Sequence, residues 1–152
     1  MLHYDFEESI GFWLVRAWNA YERALNAELT PRGITFRHAQ VLGFLALEGD
    51  LSQVELSDRM KVEPPTLVGI LDRMERDGWI TRLECAEDRR KKIIHPTPQA
   101  EPIWAQVVDA AMRVRTRAVE GLSAKQVEQL KALLSKLEQN VAVEKLTEER
   151  AS

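Results

Sequence analysis

Residues 52–96, SQVELSDRMKVEPPTLVGILDRMERDGWITRLECAEDRRKKIIHP, decide the fold. Ser52 with Glu55 three residues later is a capping box, in which each side chain satisfies an orphan backbone N–H at a helix start. Val54, Leu56 and Met60 then recur over about two helical turns. Lys61-Val62-Glu63 interrupts the pattern. Pro64 and Pro65 open a second helix, at positions where a missing N–H costs nothing. Leu67, Ile70, Leu71 and Met74 form its apolar stripe, and Asp77-Gly78 closes it with a residue that tolerates left-handed backbone. Trp79 to Cys85 and the shorter Ile93-Ile94 have the β-branched and aromatic content of strands, and the residues between them are almost all charged. The stretch reads as a helix-turn-helix followed by a β-hairpin wing.

A helix pair followed by a ribbon carrying Arg89, Arg90, Lys91 and Lys92 is a shape suited to a polyanion, and double-stranded DNA is the leading partner. In such a motif the second helix enters the major groove with its N-terminal residues near base edges. Here these are Pro65, Thr66, Leu67 and Val68, followed by Gly69 on the outer face. Thr66 can exchange hydrogen bonds with a base or phosphate, while Pro65 and the aliphatic groups can touch thymine methyls. No Arg, Asn or Gln stands in this first turn, so bidentate base readout from it is weak. Ser52 and Gln53 are placed for phosphate oxygens. The wing cations can grip the backbone, with one Arg entering a narrow A·T-rich minor groove. Asp88 would repel phosphate, so its role is to orient one of those arginines. The segment holds 9 basic and 9 acidic residues, so only their arrangement can favour phosphate.

The flanks explain how a neutral module could bind well. The 152 residues make one domain, with a winged lobe over 34–97 and dimerisation helices over 1–33 and 98–146. The fold class is mainly α with a small β-hairpin. Phe6, Ile10, Trp13, Leu14, Ala17, Tyr21 and Leu25 share a helical stripe that ends at Thr30-Pro31-Arg32-Gly33. A helix from about Phe36 to Glu48 carries Val41, Leu42, Leu45 and Leu47. Thr97 is expected to cap a helix starting at Pro98, with Pro102 loosening its first turns and Gly121 ending it. Ser123 and Gln126 form another capping box. Val127, Leu130, Leu134, Leu137 and Val141 follow at alternating steps of three and four, a short coiled-coil seam. Long amphipathic helices at both ends have more apolar surface than one small module covers. A homodimer built on Phe6, Ile10, Leu130, Leu134, Leu137 and Val141 would cover it, and would set two recognition helices about one DNA turn apart.

Other classes find little support. His3, His38 and His95 are scattered with no metal-ligand spacing, and no phosphate-binding glycine loop, nucleophile elbow or paired-carboxylate constellation occurs. The expectation is therefore no enzyme, no metal and no cofactor. Acidic residues come early and no long uncharged apolar run occurs, which fits a cytoplasmic protein with no membrane partner. The net charge of −3 argues against indiscriminate coating of polyanions but not against a local patch. Cys85 is the single cysteine, so no intrachain disulfide can form.

The chain resembles the MarR family of bacterial transcription regulators, most closely its SlyA branch, over nearly its whole length. The motifs that carry the resemblance are Pro65-Thr66-Leu67-Val68 with Leu71-Asp72, Gly78-Trp79-Ile80-Thr81-Arg82, Cys85-Ala86-Glu87-Asp88-Arg89-Arg90, and Ala100-Glu101-Pro102. The resemblance implies a homodimer with interleaved terminal helices on pseudo-palindromic, A·T-rich promoter DNA. Residues around Thr66 and Leu67 would then lie in the major groove, and Arg89 or Arg90 in the minor groove. It also implies release by a small aromatic acid or phenol, for which Trp13, Arg16, Trp18 and His38 offer indole faces and a cation. Gly69 departs from the family pattern, which usually places an Arg there. The competing class is a winged-helix module that binds another protein and no specific DNA, supported by the neutral central segment and by Gly69.

Overall fold

The computed structural model describes residues 4–85 and 91–142. In chain order these form α1 (Ile10–Leu29), a short 3₁₀ turn (Thr30–Arg32), α2 (Phe36–Glu48), β1 (Leu51–Ser52), α3 (Gln53–Met60) and α4 (Pro64–Arg76). Then follow β2 (Ile80–Glu84), β3 (Lys92–Pro96), α5 (Ala100–Ala118) and α6 (Ala124–Val141). The chain divides into two compact units, Met1–Val114 and Arg115–Ser152. It is the mostly helical winged-helix architecture expected, with one addition. The wing is a three-stranded antiparallel sheet in the order β1-β3-β2, because Leu51 and Ser52 pair with Ile94 and Ile93.

The helix boundaries follow local chemistry. Ser52 and Glu55 close their capping box at the start of α3, and Ser123 and Gln126 do the same for α6. Pro64 and Pro65 occupy the first turn of α4. Three residues join α3 to α4, with Lys61 in left-handed backbone and the Ser57 hydroxyl donating to the Val62 carbonyl at 2.6 Å. At the other end of α4, Gly78 has φ 76° and turns the chain into β2.

Two expectations about α5 are corrected. Thr97 does not cap it: its hydroxyl donates to the Gly78 carbonyl and its N–H to the Trp79 carbonyl, so it stitches the end of β3 to the turn after α4. The helix begins at Ala100, which makes Pro102 its third residue. An N–H there has no intrahelical acceptor, so the proline removes no hydrogen bond.

Two apolar clusters hold the first unit together. One joins α2, α3 and α4 to the sheet through Val41, Leu45, Leu56, Leu71, Met74, Ile80 and Ile94. The other joins α1, α2 and α5 through Leu25, Leu29, Phe36, Val107, Ala110 and Val114. Trp79, Ile103 and Trp104 pack against both clusters. Leu47 (79 % exposed) and Val54 (68 %) lie outside the core despite their place in the apolar pattern. Each stands two residues from a buried leucine, Leu45 or Leu56, and so on the opposite face of its helix. Helix α6 contains no buried residue: Leu130, Leu134 and Val141 are exposed and Leu137 is half-buried. Phe6, just ahead of α1, and Ile10 are exposed as well.

Gly78→Ala should lower the unfolding free energy by about 1–2 kcal/mol, because the left-handed backbone disfavours a Cβ. That Cβ would also meet the Gln99 carboxamide, which must rotate away. Urea unfolding reads the difference, and an unchanged midpoint would contradict it.

Candidate nucleic-acid interface

The apolar stripe of α4 decides which of its residues face outward. Leu67 (1 % exposed), Ile70, Leu71 and Met74 are buried against the first cluster. Pro65, Thr66 and Val68 are exposed, and a Cβ built on Gly69 meets nothing within 4 Å. Leu67 is thus corrected from a base contact to a core residue, since helical spacing places it on the same face as Leu71. The outer surface of the first turn is small and weakly polar. Arg73 is exposed seven residues beyond Thr66, about two turns along the same flank, and its guanidinium makes no hydrogen bond or ion pair among the described residues. Sequence reading passed over it, although its spacing from Thr66 was visible.

Ser52 is also corrected. Its hydroxyl donates to Glu55 Oε2 at 2.7 Å and accepts the Glu55 N–H at 3.2 Å, and the residue is buried in β1. It cannot donate to a phosphate without opening the capping box. The Ser52 hydroxyl and N–H, together with Arg59 and Lys91, hold the Glu55 carboxyl below its usual range, against a small desolvation. Lys91 is exposed at the described edge of the hairpin, while Lys92 pairs with Glu84 at 3.0 Å. Asp88, Arg89 and Arg90 lie outside the described residues.

Arg82, which the sequence reading did not single out, lies at the centre of the lobe. From β2 its guanidinium reaches Asp72 Oδ1 at 2.7 Å and the Glu75 carboxylate, both on α4. Its Nε donates to Gln53 Oε1 on α3 at 3.1 Å. Because Arg can only donate, this contact fixes the Gln53 amide with its oxygen inward and its NH₂ outward. That NH₂ has no partner among the described residues and is available to an external acceptor.

The four residues read as a ligand site do not form one. His38 is buried in the α2 capping box, its Nδ1 accepting the Thr35 N–H at 3.3 Å, with its ring edge-on to Trp79 at 5.3 Å. Trp18 stacks with Tyr21 and meets Phe36 edge-on. Trp13 donates its indole N–H to the Glu7 carbonyl, and Arg16 sits over the Phe12 and Trp13 rings at 5.3 and 5.2 Å. Trp13, Arg16 and Trp18 are exposed on α1, and of the four Trp13 and Arg16 are in contact. A cleft of about 300 Å³ occurs elsewhere, lined by α2, the end of β3 and the start of α5. Among the described residues, no cluster of His, Cys, Asp and Glu could hold a metal ion, and no helix is long and apolar enough to cross a membrane.

Residues 32–91 match the family model of the MarR family. A mutant of MarR from E. coli complexed with operator DNA is 27% identical, with 89% of this chain and 99% of that chain covered and a TM-score of 0.77. Wild-type MarR in its apo form is 26% identical, with 85% and 96% covered and a TM-score of 0.77. A MarR-family transcriptional regulator from a Rhodococcus species shares the fold at 24% identity, with 89% and 96% covered and a TM-score of 0.78. The fold of the chain is that of MarR-family transcription regulators.

The environment of His38 should tie the stability of this lobe to pH in mild acid. Burial lowers the imidazole pKa from its ordinary value of 6.5, nearby Arg73 lowers it further, and Asp77 opposes. A protonated Nδ1 would also lose the Thr35 N–H. The unfolded chain therefore takes up this proton at a higher pH than the folded chain does. The His38 contribution is complete above pH 6.5 and declines as pH falls through 6.5 towards the folded-state value. The groups with depressed carboxyl pKa, Glu55 and Asp109, act only below their ordinary values near 4. Unfolding free energy should fall between pH 7.5 and 5.5, and His38→Gln should remove most of that fall. An equal fall in the variant would contradict this assignment.

Proposed function

We propose that the chain is a homodimeric, sequence-specific DNA-binding transcription regulator that reads pseudo-palindromic, A·T-rich promoter sites. The observation that carries the reading is the outer face of α4. Its first two turns present exposed Pro65, Thr66 and Val68 and open space over Gly69, and the lobe also carries the Gln53 amide and exposed Lys91. The protein in complex with operator DNA, at 27% identity over nearly its whole length, supports the same use of the lobe here. Thr66 and the aliphatic groups supply contacts in the major groove, and Gln53, Arg73 and Lys91 supply phosphate contacts. Arg89 or Arg90, oriented by Asp88, completes the set at the minor groove. The motifs around Thr66 and the wing favour the SlyA branch, with Gly69 as its departure.

Dimerisation rests on α6. Burying Leu130, Leu134, Leu137 and Val141 with Phe6 and Ile10 against a second copy would give the helix the apolar contact it lacks within one chain. Segments 1–33 and 98–146 then serve as dimerisation helices around a lobe spanning 34–97. Leu130→Glu with Leu134→Glu should convert a sedimenting dimer to monomer, and an intact dimer would overturn this assignment. Release by a small aromatic acid has one remaining foothold, the Arg16 guanidinium between two rings on α1.

Fluorescence anisotropy on duplexes from the gene's own upstream region and a scrambled control tests the function. Preference for the upstream duplex, weakening along a steep logarithmic salt slope, is the expected result. Equal binding to both duplexes, lost at physiological salt, would favour the interaction-module reading. Gly69→Arg should tighten binding, since the position is open and faces outward. Gly69→Ala should only raise stability, by about 1 kcal/mol. An unchanged or weaker affinity for Gly69→Arg would show that α4 does not meet DNA on this face.

A further inference from the structure

The cleft between α2, the end of β3 and the first turn of α5 has a chemistry unlike that expected for an aromatic acid. Its volume of about 300 Å³ is at the small end of ligand sites, room for a one-ring molecule. Leu42 and Leu45 supply apolar wall, and the indole of Trp104 rests against α2 at Gly43, where no side chain intervenes. Glu101 also lines the cleft, and its carboxylate has no hydrogen-bond or ion-pair partner among the described residues. His95 lines the cleft as well, but its Nδ1 is already engaged, 2.7 and 2.9 Å from the two carboxylate oxygens of Asp50. No Lys or Arg lines the cleft.

We propose that this cleft binds a small hydrophobic cation, an aromatic amine. The ammonium group donates to the Glu101 carboxylate, and the ring lies on Leu42 and Leu45 with the indole of Trp104 beside the charge. An anionic ring would face Glu101 with no Lys or Arg lining the cleft to offset it. An occupant would brace the first turn of α5 against the strand that leads out of the wing.

The test uses the full-length protein without DNA, so its outcome is separate from that of the DNA-binding reading. 2-Phenylethylammonium is titrated while the Trp104 indole N–H resonance, identified by its loss in Trp104→Phe, is followed by NMR. A saturable shift is expected, and Glu101→Gln, checked for an otherwise unchanged spectrum, should weaken binding about three- to tenfold. The anion 3-phenylpropanoate, with the same ring, should give no saturable shift. The proposal is overturned if the amine gives none, if Glu101→Gln binds within twofold of the unaltered protein, or if the anion binds as tightly.

Discussion

The guanidinium of Arg82 ties three elements of the winged lobe to one point. It donates to Asp72 and Glu75 on α4 and to Gln53 on α3, from a side chain only 17 % exposed on β2. Apolar packing brings these elements together but does not fix their rotation, because dispersion contacts are individually weak and non-directional. A planar fork with two carboxylates and an amide does have direction. Through it the outer face of α4 and the hairpin present one surface, and the Gln53 amide gains its outward orientation.

Around that point, α4 divides its work by face. Leu67, Ile70, Leu71 and Met74 are given to the core, which leaves Pro65, Thr66, Val68 and Gly69 on the outer face. The ends of α4 are fixed without using its outer side chains. Two prolines start the helix, and the glycine turn, stitched by Thr97 to the end of β3, stops it. A surface arranged in this way costs the fold little and keeps its side chains available. The same economy fails at α6, whose apolar seam has no buried residue within the chain.

Much of this was legible in the sequence because it rests on local chemistry. The capping boxes at Ser52 and Ser123, the prolines opening α4, the turn at Gly78 and the apolar stripe of α4 are all read over fewer than about eight residues. What escaped depends on contacts far apart in the chain. The pairing of Leu51 with Ile94 adds a strand too short to leave a pattern. Arg82 looks like any strand arginine until α3 and α4 are brought against it. His38 was read as a ligand contact, yet the fold draws it against Trp79 and into a cap. Leu67 and Ser52 were read by position in the motif, when their own periodicity and capping role already committed them inward. The cleft beside Trp104 joins residues from α2 to α5 and has no linear signature.

In the proposed function, discrimination between DNA sequences rests on rigid alignment of α4 with the wing. Arg82→Ala, shown by circular dichroism to remain folded, is the direct test, titrated by anisotropy against upstream and scrambled duplexes beside the unaltered protein. The expected result is loss of the preference for the upstream duplex while salt-sensitive binding to both persists at low salt. Discrimination equal to that of the unaltered protein would contradict the account.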